Sequence, residues 1–173
     1  MEGGDTLSEE VIVRRNETDV AWDPELSPKG RFECQYREMS RQFQAEPRPP
    51  RRHGYLPPMR PFEVDLVRIP PGKRPFPRHS HSVEWEYYIV VAGHGRMLQA
   101  DGEAPIAMQP GDHLMQPPGW VHTIENDGDE DLLYYVIASN SADDTCFYPD
   151  SGKWAAADKV FRMAEADYYD GEE

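Results

Sequence analysis

Three histidines and one glutamate in the middle of this sequence have the residue types and the spacing of a metal site. His79 and His81 are two residues apart, a spacing that places two side chains on one face of a β-strand. Glu86 lies five residues after His81 and would face away on a straight strand, so the chain between them must turn or bulge, which suits a corner linking two strands. His122 follows a Pro-Pro-Gly turn that could direct another strand toward the same centre. Three imidazoles and one carboxylate suit one divalent transition metal per chain: Fe, Mn, Ni, Zn, Co or Cu.

The elements that would position these four residues are short β-strands. Runs with strand character are separated by turns rich in Gly, Pro and Asp, and seven such runs in about 80 residues predict a sandwich or barrel. The predicted strands are Glu63–Ile69, Glu86–Val91, Arg96–Ala100, Ile106–Gln109, His113–Gln116, Val121–Glu125 and Leu132–Ala138.

Two stretches of this region resemble the two sequence motifs of the cupin superfamily. His79-x-His81, Glu86 and Gly93 have the spacing of the first motif, although Gly72 stands one residue from its usual distance to the first histidine. The spacing of the second motif is matched by Gly111, Pro117, Gly119, His122 and Asn126. The resemblance implies an all-β double-stranded β-helix, or jelly-roll barrel. It also implies that His79, His81, Glu86 and His122 are inward-facing metal ligands, with open coordination positions for water or substrate.

The chain beyond the second motif, residues 143–153, is similar to the segment that closes a subgroup of small bacterial cupins whose activity is mostly undefined. Tyr88 shares the strand face of Glu86, two residues away, so its ring and hydroxyl are expected to line the cavity near the metal. Tyr88 is therefore the first candidate for a proton-transfer residue. The competing interpretation of this tyrosine is plain core packing.

The sequence divides into four parts. Residues 1–20 are predicted to be loose, 21–61 to form an arm with a Pro/Arg-rich connector, 62–152 to form the barrel, and 153–173 to form a tail. In the arm, Phe32, Tyr36, Met39 and Phe43 fit a helix face, while Phe32, Cys34 and Tyr36 fit a strand equally well. The tail is predicted to contain a short helix over 153–162, with Trp154, Ala157 and Phe161 on one face.

Composition limits the partners. The formal net charge is −14, and residues 101–173 hold 17 acids against 3 bases, which disfavours nucleic acid and anionic membranes. No apolar run approaches the length that spans a bilayer, and Met1–Arg15 lacks the character of a signal peptide, so a cytoplasmic protein is expected. Cys34 and Cys146 lie far apart without a CxxC spacing. Free thiols are therefore expected, and a thiolate metal site is not indicated.

A basic stretch leads up to His79. It has two interpretations: an electropositive mouth for an anionic small molecule such as a carboxylate, or ion pairing with the acidic second half of the chain. Its members are Arg48, Arg51, Arg52, Arg60, Arg68, Lys73, Arg74 and Arg78. Small jelly rolls have exposed edge strands that need cover, and the arm could cover a partner's edge, so a homodimer is expected. His53, His94 and His113 fall outside the motifs and are expected at the surface.

Three functions fit this pattern. The leading hypothesis is a metal-dependent enzyme of the dioxygenase, isomerase, decarboxylase or lyase type, acting on a small organic acid or a sugar-like molecule. The second is a non-catalytic module that binds or senses a small molecule. The third, a barrel with a vestigial site, is disfavoured by the presence of all four ligands.

Overall fold

The computed structural model describes residues 16–40, 62–141, 143–157, 159–165 and 167–168. These residues form thirteen strands and one short 3-10 turn, Glu17–Asp19. The strands are β1 (Asp23–Leu26), β2 (Glu33–Glu38), β3 (Phe62–Ile69), β4 (Ser80–His81), β5 (Glu86–Ala92), β6 (Gly95–Leu98), β7 (Ile106–Met108), β8 (His113–Gln116), β9 (Thr123–Glu125), β10 (Leu132–Ser139), β11 (Thr145–Tyr148), β12 (Lys153–Ala156) and β13 (Lys159–Phe161). No helix among the described residues has the length and apolar character needed to cross a membrane.

The strands form one large sheet and two smaller ones. The large sheet has the order β1-β2-β3-β10-β5-β8, and the smaller sheets have the orders β13-β12-β11-β4 and β7-β6-β9. An antiparallel bridge between His79 and His122 lies where β4 and β9 approach each other. The architecture is that of a double-stranded β-helix, and the all-β prediction is confirmed.

The core lies between the sheets because inward and outward residues alternate along the strands. On β5 the inward residues Glu86, Tyr88 and Val90 are buried. Val90 and Tyr88 share one buried cluster with Met97 of β6 and Ile124 of β9. The same face that builds the core therefore presents Glu86 to the interior.

All seven predicted strands are present, with ends that differ by at most two residues. In the arm the strand alternative is confirmed: Cys34 and Tyr36 of β2 point into the core, and β2 pairs with β3. The helix alternative is wrong over the described part of the arm, and Phe43 lies outside the described residues.

The predicted short helix over 153–162 is wrong. Its residues form β12 and β13 instead, because β12 completes the backbone hydrogen bonds of β11 and β13 in turn pairs with β12. Trp154, assigned to an apolar helix face, packs against Phe147 of β11 with ring centroids 4.8 Å apart. Pairing with a neighbouring strand overrides the local helical pattern here.

Candidate metal centre

Two of the predicted ligands are joined through their backbones. The His79 N–H donates to the His122 carbonyl at 3.0 Å, and the His122 N–H donates to the His79 carbonyl at 2.8 Å. Residues directly opposite each other in an antiparallel pair place their side chains on the same face. The two imidazole rings accordingly lie with centroids 4.8 Å apart. Both rings are buried in the interior of the fold.

The other two predicted ligands, His81 and Glu86, lie at the two ends of the predicted corner. His81 ends β4, Glu86 begins β5 of the large sheet, and the residues between them are irregular. The structure brings Glu86 Oε2 to 2.8 Å from His122 Nε2 and 3.6 Å from His81 Nε2. His79 Nε2 and His81 Nε2 are 3.0 Å apart. The cluster therefore bridges the two faces of the sandwich.

Each histidine is oriented by a contact at its other ring nitrogen. Nδ1 of His79 lies 3.1 Å from the Pro77 carbonyl, and Nδ1 of His122 lies 3.3 Å from the Trp120 carbonyl. Because a carbonyl can only accept, both Nδ1 atoms are donors, which leaves the Nε2 lone pair toward the cluster. His81 has a stronger version of this contact, since its Nδ1 lies 2.7 Å from Asp144 Oδ2.

One further observation indicates that these side chains suit a bound cation. Glu86 Oε2 is fully buried and receives no hydrogen bond from any residue that the structure describes. Its close neighbour His122 Nε2 presents a lone pair in the tautomer set by Trp120. A buried carboxylate oxygen facing a nitrogen lone pair is unfavourable unless a positive charge, supplied by a proton on the ring or by a bound cation, lies between them. His79, Glu86 and His122, all buried, have ligand atoms within 4.8 Å of one another.

The protonation states follow from burial and mutual attraction. Burial, reinforced by the neighbouring imidazoles, lowers the pKa of His79 to about 3, so this ring is neutral. Burial opposes ionisation of Glu86, but attraction from the His122 and His81 imidazoles in their protonated forms outweighs it and holds the pKa of that carboxyl well below its usual range. Burial likewise opposes protonation of His81, yet Glu86 and Asp144 raise the pKa of His81 above its usual value. A metal ion at His81 must therefore displace a proton.

Sequence reasoning missed two residues that flank His81. Asp144 is buried and accepts the His81 Nδ1–H, and its Oδ1 also accepts the backbone N–H groups of Val83 at 3.0 Å and Glu84 at 3.2 Å. The Cys146 Sγ lies 3.4 Å from His81 Nδ1 and 4.0 Å from His81 Nε2. The one sequence feature that pointed to this region was the similarity of residues 143–153 to the segment that closes small cupins. That similarity indicated no role for the side chain of Asp144 or Cys146.

Tyr88 lies beside the cluster on its deep side. It is 1% exposed, and its hydroxyl is 3.1 Å from His122 Nε2. Burial raises the pKa of Tyr88 well above its usual value, so the phenol keeps its proton. The position agrees with the expectation that this side chain lies near the metal, while its role in proton transfer stays a prediction.

The described members of the basic stretch are paired with acids, most of them from the second half of the chain. Arg74 donates to Glu125, Arg78 donates to Asp101 and Asp150, and Arg68 lies 3.9 Å from Asp131. Lys73 pairs with Glu33 of the arm at 3.1 Å. This favours the ion-pairing interpretation for these four residues. Arg48, Arg51, Arg52 and Arg60 lie outside the described residues, as does His53.

The remaining expectations concern histidines and thiols. His94 and His113 are exposed, as predicted. His113 Nδ1 lies 2.9 Å from the Tyr87 hydroxyl. Cys34 and Cys146 are both free thiols, which confirms that expectation. Cys34 is buried in the core and Cys146 is half-buried beside His81.

Comparison with known proteins shows that the sequence and fold are similar to those of cupins. A family model described as the Cupin domain matches residues 65–138. A glucose-6-phosphate isomerase of Pyrococcus abyssi is 39% identical over 62 residues, which are 34% of this chain and 33% of that protein. The chain thus spans about a third of the length of the curated relative that it matches.

Two solved structures share the fold at low sequence identity. A sugar phosphate isomerase from a cupin superfamily, of Silicibacter pomeroyi, superposes with a TM-score of 0.67 at 20% identity, covering 87% of this chain and 93% of that one. A predicted oxalate decarboxylase of Thermotoga maritima superposes with a TM-score of 0.54 at 19% identity, covering 75% of this chain and all of that one. At these identities the likeness concerns the fold alone.

Proposed function

Because this chain belongs to the cupin superfamily, we propose that it is a metal-dependent enzyme, and that isomerisation of a small sugar phosphate is the reaction to test first. The observation that carries the proposal is the convergence of three Nε2 atoms on the unpartnered Oε2 of Glu86. His79, His81, Glu86 and His122 would hold the ion. When bound, a divalent ion supplies Lewis-acid polarisation of a substrate oxygen.

The direction from which a substrate would reach the cluster follows from side-chain exposure. His122 and Tyr88 are each 1% exposed and form the closed side. The side chains of His81 and Glu84 are 12% and 18% exposed and form the side nearest to solvent. A substrate therefore approaches past Glu84, and the corner between β4 and β5 is part of its path.

Two residues are positioned to take part in proton transfer on opposite sides of the cluster. The Glu84 carboxyl group, whose pKa burial raises to about 8, lies 3.7 Å from His81 Nδ1 on the solvent side, where it could contact a substrate carbon or hydroxyl directly. The Tyr88 hydroxyl lies on the deep side, so its contribution would be a hydrogen bond to the ligands or to a substrate oxygen seated among them. We assign Glu84 the proton-transfer role and Tyr88 the orienting role.

The choice of an isomerase rests on the relatives. The curated relative is named for glucose 6-phosphate, and a solved neighbour of similar size is named as a sugar phosphate isomerase. By the enediol route, interconversion of an aldose and a ketose moves a proton between adjacent carbons while both oxygens are held. A divalent ion held by the four side chains, beside the Glu84 carboxyl group, would meet these requirements.

The test has two stages. Protein purified without added metal is first assayed for metal content and for affinity toward Mn²⁺, Fe²⁺, Co²⁺, Ni²⁺ and Zn²⁺. We expect close to one ion per chain, lost in the double variant His79→Ala with His81→Ala and retained in the matched control His94→Ala. Each loaded form is then incubated with phosphorylated aldoses and ketoses in D₂O, and deuterium incorporation at the exchanging carbon is followed by NMR.

The outcomes separate the three hypotheses from the sequence. Metal binding with exchange and product formation supports the proposal. Metal binding with ligand-induced thermal stabilisation but no turnover would indicate a binding module instead. A folded protein that takes up none of the five ions would overturn the metal centre itself.

A further inference from the structure

The cluster has a second side that contains sulfur. His79, His81 and Cys146 form a group whose ligand atoms lie within 4.8 Å of one another, and His79 is shared with the buried group of Glu86 and His122. The two groups share His79, and Cys146 is grouped with His79 and His81 but not with Glu86 or His122, so an ion bound by the thiol would be held on the His79–His81 side of the cluster. One side offers nitrogen and carboxylate oxygen, and the other offers nitrogen and a thiol.

From this arrangement we propose that Cys146 is a sulfur ligand of the metal centre, and that it makes the centre prefer thiophilic ions such as Zn²⁺ and Co²⁺ over Mn²⁺. The inference rests on the proposed metal centre but concerns a residue beyond the four expected ligands. Cys146 also lies outside the stretch that matches the cupin family model.

The distances are compatible with shared coordination. Two ligands of one ion, with bonds of about 2.1 Å to nitrogen and about 2.3 Å to sulfur, are separated by at most ~4.4 Å. Cys146 Sγ lies 4.0 Å from His81 Nε2, within this limit. The backbone holds the thiol in place, because Cys146 of β11 is the register partner of His81 of β4.

Among the described residues, the Cys146 sulfur makes no contact strong enough to compete with metal binding. Its contact with His81 Nδ1 is 3.4 Å, but that nitrogen already lies 2.7 Å from Asp144 Oδ2. The thiol's own contact with Asp144 Oδ2 is long, at 3.9 Å. A half-buried sulfur grouped with two imidazoles, within ligand distance of both, has the surroundings of a ligand.

Cobalt substitution gives a direct readout that does not depend on turnover. A thiolate bound to Co²⁺ produces an intense near-ultraviolet charge-transfer absorption that nitrogen and oxygen ligands do not. We expect this band in the wild-type protein and in the control Cys34→Ser, whose cysteine lies in the core and away from the cluster. We expect Cys146→Ser to bind Co²⁺ without the band. The affinity ratio of Zn²⁺ to Mn²⁺ should fall about tenfold or more in Cys146→Ser.

A second measurement on the wild-type protein covers the case in which the serine variant fails to fold. Bound Zn²⁺ should protect Cys146 from alkylation by iodoacetamide, as followed by peptide mass spectrometry. Co²⁺ binding without the charge-transfer band in the wild type would overturn the inference and leave the proposed metal centre intact. Failure of Co²⁺ and Zn²⁺ to bind at all would overturn both.

Discussion

Replacing Asp144 by asparagine separates the two contacts that this side chain makes. Its Oδ1 accepts the backbone N–H groups of Val83 and Glu84, which fixes the corner between two ligands, and asparagine retains a carbonyl oxygen for that purpose. Its Oδ2 lies 2.7 Å from His81 Nδ1. In asparagine this position becomes an NH₂ group, which donates to Nδ1 and favours the tautomer with the proton on Nε2. The lone pair that faces the cluster is then lost.

The expected effect is on metal affinity more than on the fold. Loss of a partner that orients a ligating histidine weakens metal binding by about tenfold to a hundredfold, or roughly 1.4 to 2.7 kcal/mol. Affinity is measured by competition with a chromophoric chelator at fixed pH. The matched control is Asp143→Asn, which makes the same change in charge on the exposed neighbouring residue.

The reasoning is refuted if Asp144→Asn binds metal as tightly as the wild type while remaining folded. It is also refuted if Asp143→Asn loses as much affinity, because the effect would then come from net charge and not from the orientation of His81. Circular dichroism and thermal unfolding in excess chelator establish that both variants keep the corner intact.

Three further predictions concern the framework around the centre. Asn126 is fully buried; its side chain donates to the carbonyls of Ile69 and Glu130 and accepts the Gly128 N–H. Asn126→Ala should lower the free energy of unfolding, measured by chemical denaturation, by about 2–4 kcal/mol. A loss smaller than the contribution of one hydrogen bond would contradict this role. Gly93 has a φ of +76°, and a Cβ there would lie 2.3 Å from a backbone carbonyl oxygen. Gly93→Ala should therefore lower the free energy of unfolding by about 3 kcal/mol or more. Gly102 has a φ of +88° but open space around it, so Gly102→Ala should lower the free energy of unfolding by only about 1–2 kcal/mol. Burial opposes ionisation of Glu125, but two arginines hold its pKa below the usual value. The stabilisation that the ionised Glu125 contributes is therefore present above the pKa of the unfolded state and is lost as the pH falls through the pKa of the folded state. The difference in unfolding free energy between wild type and Glu125→Gln, measured in urea, should shrink from pH 7 to about pH 3, and a constant difference would contradict the ion pairing.

The strands, and the convergence of the four candidate ligands that they carry, could be predicted because their signals are local. An i, i+2 pair of histidines, a five-residue offset that forces a corner, and inward–outward alternation on β5 are properties of a few adjacent residues. The structure bears out this logic for the corner: His81 and Glu86 end up on opposite sheets with their side chains 3.6 Å apart.

Asp144 and Cys146 could not be identified in the same way, because their roles depend on a distant pairing. The segment of β11 meets β4 across more than sixty residues of intervening chain, and the register puts Cys146 opposite His81. No periodicity within either segment encodes that register. The predicted helix over 153–162 was wrong for the same reason, since a short apolar repeat is compatible with either structure until a partner strand is known.

The placement of the candidate ligands would couple metal binding to the packing of the sheets. His79 and His122 form the bridge where the two small sheets meet, and Glu86 belongs to the large sheet. An ion held by all three would join both layers of the sandwich, and it would stabilise the fold by about 2.7 kcal/mol at a hundredfold excess over its Kd. Ligand substitutions should therefore have two separable costs. His122→Ala removes a buried ring and should lower stability even with excess chelator present, and a second loss should appear only when metal is supplied.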